Sequence, residues 1–481
     1  MKDERRLLVL SDVHLGSDIG DSPTAPPPAR SENVDEDLSA LLWHYCEATT
    51  DNAKWELVIN GDFIDFIGIS LETSRLSVST EVTAEERAHG LGTTEDHACI
   101  KLARVAERHH NVFTSLAAFV AAGNQLIIVP GNHDREFHWG RVQEDLRAHL
   151  FRASAEALER QVQFFGRIRF SPWFFWVEGI AYIEHGHQYD SFCATEHVIV
   201  PVSPVDQRRL SPGFSDVLLR FVVHRTAGIR HCDHDTMGLV DYLAFAAKLG
   251  FRGGVDLFRR YVNAIRELFR LRSVALSDAA KALRVEHDRR ITQFADAMRI
   301  DLGRLRALVA LQARPVTSSV RGIMASLLVD ELAVALLALA ALTVCGLVGF
   351  RSHAVRLGAW TVVLGAWFTT HRYLSNTRHV DPQHALAARA GALAQLFPAA
   401  FVVMGHTHVP VRSDVDNGRA TYVNTGSWAE DASALPNAPV THRAARTHLV
   451  IRVLETGPEA ELLTWSPTGP APFSAASDRS A

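Results

Sequence analysis

Leu7-Leu8-Val9-Leu10-Ser11-Asp12-Val13-His14 sets the reading of the whole chain. An apolar run of this length makes a strand buried on both faces, and it then releases two metal-ligating side chains one residue apart. The same grammar recurs downstream. Leu57–Asn60 runs into Gly61-Asp62-Phe63-Ile64-Asp65, Leu126–Pro130 into Gly131-Asn132-His133-Asp134, and Phe401–Met404 into Gly405-His406-Thr407-His408. Between the last two lies Glu184-His185-Gly186-His187. Short apolar runs that end in Gly, Asp, Asn or His are the strands of an α/β fold whose strand ends carry a site. Phe174–Glu184 reads as a hairpin turning at Glu178-Gly179, and Thr421–Asn424 and His448–Leu454 as late strands. Glu36–Thr50 and Thr94–Ala122 have helical spacing, and the proline-rich Asp21–Ala29 is a loop.

Taken singly, each motif is ordinary: Asp-x-His is common, Gly-Asp is turn chemistry, and a lone histidine is more often a core residue than a ligand. The ordered set, each member directly after an apolar strand, is what carries weight. Carboxylates, imidazoles and one amide oxygen suit divalent ions such as Mn, Fe or Zn. A second polar run, His231-Cys232-Asp233-His234-Asp235, is read as a loop, because five adjacent residues do not easily converge on one ion.

With these motifs, the sequence resembles the calcineurin-like metallophosphoesterases over roughly Leu7–Asp190 and Pro398–Leu454. The resemblance implies an α/β fold in which two sheets form a sandwich flanked by helices (α/β/β/α), here interrupted by a long helical insertion. It implies two divalent ions, one on Asp12, His14 and His408, the other on Asn132, His185 and His406, with Asp62 shared. Such a pair activates water as the attacking hydroxide and polarises the phosphoryl oxygens. His133 would act on the leaving group and Asp65 would orient it. Asp134 would bond loop amides, His187 would stand behind the ligands or be exposed and idle, and Asn424, Gly426 and Ser427 would form a loop beside the site or a plain turn. Two stretches, Ser11–Leu15 and Gly61–Gly68, look like the UDP-2,3-diacylglucosamine pyrophosphohydrolase branch. This chain departs from that branch in its much longer insertion and in His133, where those enzymes usually carry Arg.

Length and composition fit several domains: 481 residues, 47% apolar and 21% charged, enough for a well-packed core. The expected division is 1–190 and 381–470 for the two parts of the core, 191–380 for an insertion, and 471–481 for a tail. Five scattered cysteines argue against a disulfide framework and fit a reducing compartment, and the N-terminal run is too short for a signal peptide. Charge is uneven: Val205–Arg321 holds 21 Lys+Arg against 12 Asp+Glu, although the whole chain carries a net charge of -5. Within it, Val255–Leu276 reads as a basic amphipathic helix with Arg259, Arg260, Arg266 and Arg270 between its apolar residues. It lacks an aromatic stacking pattern, so no nucleic-acid partner is expected.

Leu332–Phe350 is an apolar run of bilayer-spanning length and Leu357–Thr370 a shorter one. Together 332–370 reads as a hydrophobic hairpin seated in a membrane, with a packed soluble lid as the alternative. An insertion that leaves and rejoins the rim of the site is placed to cover substrate. The expected protein is therefore a phosphoesterase at the cytoplasmic face of the inner membrane, or else in the cytoplasm, cleaving an amphiphilic or lipid-linked phosphate or pyrophosphate ester. Rival readings are a protein phosphatase, cyclic-nucleotide phosphodiesterase or nuclease with the same site, and a non-catalytic membrane-tethered binding protein. No heptad or self-complementary surface indicates an oligomeric state.

Overall fold

Leu7 and Val9 fill one apolar layer while Leu8 and Leu10 fill another, so β1 (Arg6–Leu10) is buried on both faces. This is the physical meaning of its unbroken apolar run. The computed structural model describes residues 5–21, 32–47, 53–226, 245, 248–348, 352–378, 381–429 and 446–474. The alternation repeats in β2 (Trp55–Asn60) and β3 (Gln125–Val129), which pair in parallel with β1 and with β4 (Ile168–Phe170). A second sheet contains β5 (Phe175–Val177), β6 (Ala181–Ile183), β7 (Phe401–Met404), β8 (Val411–Val415) and β9 (Ala420–Asn424). Three antiparallel strands, β10 (Thr447–Leu454), β11 (Gly457–Ser466) and β12 (Gly469–Pro472), extend the first sheet beyond β1. The orders are β12-β11-β10-β1-β2-β3-β4 and β5-β6-β7-β9-β8, with β6, β7 and β9 parallel.

The sheets meet through Leu7, Val9, Val58 and Ile127 on one side and Ile183, Val403 and Val423 on the other. Outside the first sheet, Leu8, Ile59 and Ile128 pack on the helices Glu32–Glu47, Glu95–Arg108, His110–Ala121 and Gly140–Ser154. Outside the second, Tyr182, Val402, Met404 and Tyr422 pack on the helices Asp278–Met298, Leu302–Leu311 and Pro382–Leu396. The layers therefore run helix, sheet, sheet, helix.

Several elements differ from the sequence reading. The helical stretch Thr94–Ala122 is two helices broken at His109 (φ -106°, ψ 38°). The break carries the His109 ring into the core, where Nε2 accepts from the Gly16 amide at 3.0 Å and Nδ1 contacts Asp35. Strand β12 reaches Pro472, past the expected tail boundary, because Gly469 (φ 106°) lets β11 turn back on itself.

The insertion is more than a lid. Between Ser191 and Asp381 the described residues hold no strand, only the isolated bridge Val202↔Leu210. Two of its helices, Asp278–Met298 and Leu302–Leu311, supply the outer layer of the second sheet. Phe214–Phe221, Gly250–Ala275 and Val320–Ser326 form a separate apolar cluster through Val217, Leu257, Leu268 and Ile323. From this cluster projects a hairpin of Val329–Leu347 and His353–Arg378, which pack on each other. It is not packed inside a lid: Leu337, Leu347 and Val362 are 70%, 82% and 71% exposed. By length and composition Val329–Leu347 is long and apolar enough to cross a membrane; among the described residues no second helix meets that test.

Candidate metal centre

Parallel strands bring their carboxyl ends to one rim. Asp12, Asp62 and Asn132 follow β1, β2 and β3, His185 follows β6, and His406 and His408 follow β7. At four of these positions, and at His14, the backbone is left-handed: φ is 55° at Asp12, 49° at His14, 52° at Asp62, 68° at His406 and 59° at His408. Each costs on the order of 1 kcal/mol for a non-glycine residue and persists only where the surroundings enforce it. They do. The Asp12 amide donates to Gly61 O (3.1 Å) and the His14 amide to Asp62 O (2.8 Å). Asp12 O accepts from Ser427 Oγ (3.1 Å) and from the amides of Trp428 (3.1 Å) and Ala429 (3.0 Å).

The side chains converge in three overlapping groups, Asp12–His14–His408, Asp12–Asp62–His185 and His14–Asp62–His133. His408 Nε2 stands 3.1 Å from Asp12 Oδ1 and 3.3 Å from His14 Nε2. His185 Nε2 stands 3.2 Å from both Asp62 Oδ2 and Asn132 Oδ1, and His14 Nε2 is 3.7 Å from Asp62 Oδ2. Two donors that each lie about 2.1 Å from one ion are about 3.0–3.4 Å apart, so all of these separations but that of His14 and Asp62 fit shared ligation. Asp12 Oδ1 is buried and accepts no hydrogen bond of ordinary geometry, a costly state that a cation would relieve. His185 donates from Nδ1 to Asn60 O at 3.0 Å, which leaves Nε2 as the lone-pair nitrogen facing the carboxylates.

His406 is placed differently from its expected partners. Its ring lies 5.3 Å from that of His185, but Nε2 stands 3.0 Å from Asp190 Oδ2, in a group with Cys193. His133 Nδ1 is 2.7 Å from Asp65 Oδ1, its amide donates to Asp62 Oδ1 (2.8 Å), and its ring packs 4.7 Å from that of His14. Asp134 accepts from the Gly131 (2.6 Å) and Phe63 (2.8 Å) amides. His187 is buried 5.4 Å from the His185 ring and bonds Gln188. Asn424 Nδ2 donates to Gly405 O and Asn424 Oδ1 accepts from the Gly426 amide, so this loop braces both the Gly405–His408 turn and the end of β1. The run His231–Asp235 lies outside the described residues.

Electrostatics follow from this crowding. Burial alone would raise the Asp62 carboxyl, but His185 and His133 outweigh it and hold Asp62 well below the usual range. Burial, and then His133, pushes His14 down to about 4. For His133 the desolvation is overcome by Asp62 and Asp65, which raise it to about 10, and for His185 by Asp62 and Asp12, which raise it to about 9. Burial and the Asp62 charge push Asp134 up to about 7.

Three contributors escape a motif reading. Asn60, the last residue of β2, bridges the two sheets by donating to Glu184 O (3.0 Å) while its carbonyl receives His185. Asp190 receives His406. Arg135, directly after Asp134, is buried and paired with Asp216 from the insertion. The only sequence signal for the last two was their nearness to the Asn132–Asp134 and His185 motifs. No family model matches the chain, and no curated protein matches it.

Proposed function

We propose that the chain is a metal-dependent phosphoesterase of the calcineurin-like class, with its two sheets forming that family's sandwich. The observation that carries the reading is the convergence of Asp12, His14, Asp62, His185 and His408 from strand ends of both sheets, beside the His133–Asp65 pair. Asp12, His14, Asp62, Asn132, His185 and His408 would hold two divalent ions, while His406 is engaged by Asp190. Such ions, when bound, make water nucleophilic near neutral pH and neutralise charge on phosphoryl oxygens. Asp65 fixes the His133 ring through Nδ1, and the ring lies against the donor cluster, where an imidazolium can protonate a departing oxygen.

The exposed apolar hairpin favours an amphiphilic or lipid-linked ester, met at a membrane surface. The full-length protein with added Mn is expected to hydrolyse bis(p-nitrophenyl) phosphate or p-nitrophenyl phosphate. Asp62→Ala should abolish turnover, and His133→Ala should lower kcat by about 100-fold or more. Undiminished hydrolysis by Asp62→Ala would remove the reading.

A further inference from the structure

The segment 194–213 has the metal centre on one side and an open cavity of about 350 Å³ on the other. Thr195 and Pro201 line this cavity and also the narrow space beside His185 and Arg135. Its remaining walls are the end of the Gly250–Ala275 helix, the start of Asp278–Met298 and the strip 314–318. A volume of this size suits a small molecule.

Its chemistry is lopsided. Among the described residues, four arginines, Arg270, Arg272, Arg284 and Arg314, line it against one acidic residue, Glu196. Glu196 is already engaged by Arg284 at 2.7 Å, and Arg270 is engaged by Glu267 at 2.5 Å. That leaves Arg272 and Arg314 as the cations of this lining with no carboxylate against them among the described residues, and planar guanidinium forks match phosphate oxygens. The floor is apolar, with Val200, Leu271 and Leu283. His197 also lines it, is only 8% exposed, and has a buried Nδ1 with no hydrogen-bond partner. Position adds a further argument. The strip 314–318 leads into the short helix Val320–Ser326, which packs on that strip, on Gly250–Ala275 and on the first hairpin helix. The cavity is thus one short helix away from the exposed apolar hairpin.

We propose that this cavity is a second binding site, separate from the metal centre, for a phosphate-headed amphiphile. The anionic head sits among Arg272, Arg284 and Arg314, and the apolar part lies along Val200, Leu271 and Leu283. The test is calorimetric titration of the full-length chain with decylphosphonate, methylphosphonate and decyl maltoside. Decylphosphonate should bind saturably and at least about tenfold more tightly than the other two. The Arg272→Ala/Arg314→Ala double variant should weaken it by about tenfold or more, while Asp62→Ala leaves it unchanged. Should the double variant melt below the parent, Arg314→Gln alone, at an exposed position, should still weaken binding by about threefold. Equal affinity for decyl maltoside, equal affinity for methylphosphonate, or indifference to the arginine changes would each overturn the proposal.

Discussion

Gly131 shows how tightly single residues are held at the rim. A Cβ there would lie 2.1 Å from Asp62 Oδ1, and at Gly61 (φ 81°) a Cβ would lie 2.2 Å from His185 Nδ1. Gly131→Ala is therefore expected to displace Asp62, weakening Mn binding by about tenfold or more in a metal titration while the chain stays folded. Normal Mn affinity in that variant would contradict the packing described. Away from the rim, His448 is buried in the core, shares a hydrogen bond with Tyr45 OH at 2.8 Å, and is pushed down to about 3 by burial. The unfolded chain takes a proton on this residue near the ordinary 6.5, whereas the folded chain refuses it until far lower pH. Stability is thus whole above pH 6.5 and is lost as pH falls toward 3. At pH 5 the cost is about 2 kcal/mol, so the urea midpoint of His448→Gln should fall less between pH 7 and pH 5 than that of the parent. The clustering of the candidate ligands Asp12, His14, Asp62, His185 and His408 was legible in the sequence because each lies in a motif that follows an apolar run. Asp190 and Asn60 were not, because their roles arise from contacts between the two sheets that no local pattern encodes.

Among the elements, the parallel strands β1, β2, β3 and β7 were readable because burial on both faces demands unbroken apolar residues. The hairpin of β5 and β6 was readable from its Glu178-Gly179 turn, whereas the three-residue β4 and the edge strand β12 carry too few residues for a period to appear. The break at His109 was hidden because helical spacing continues through it while the ring turns inward to Gly16 and Asp35. The loop after β9 acts as a brace, since Ser427 Oγ donates to Asp12 O. Ser427→Ala should cost about 1 kcal/mol of stability and should lower kcat more than it raises KM, because it loosens the strained Asp12 backbone. The hairpin belongs to this scale too. Replacing 329–378 by a short Gly-Ser linker should leave hydrolysis of a soluble aryl diester intact and abolish cosedimentation with anionic phospholipid vesicles. Undiminished vesicle binding by the shortened chain would rule out the hairpin as the membrane-facing element.

At the level of the whole molecule, the two sheets meet back to back and bring residues more than 390 positions apart, such as His14 and His408, to 3.3 Å. Sequence motifs named these residues, but only the four-layer packing brings them into contact. The dual use of the insertion was not foreseeable from its helical periodicity. Its helices Asp278–Met298 and Leu302–Leu311 turn apolar stripes to the second sheet, while Gly250–Ala275 turns one to a separate cluster. Periodicity reports that a face is buried and not what buries it. The central claim is that both sheets together hold a pair of ions. An anomalous-difference map from Mn-soaked crystals tests it most directly. Two peaks about 3.5–4 Å apart are expected, one against Asp12, His14 and His408 and the other against Asp62, Asn132 and His185. A map with no peak at the ends of β1, β2 and β7, or with Mn bound only elsewhere on the chain, would contradict the account.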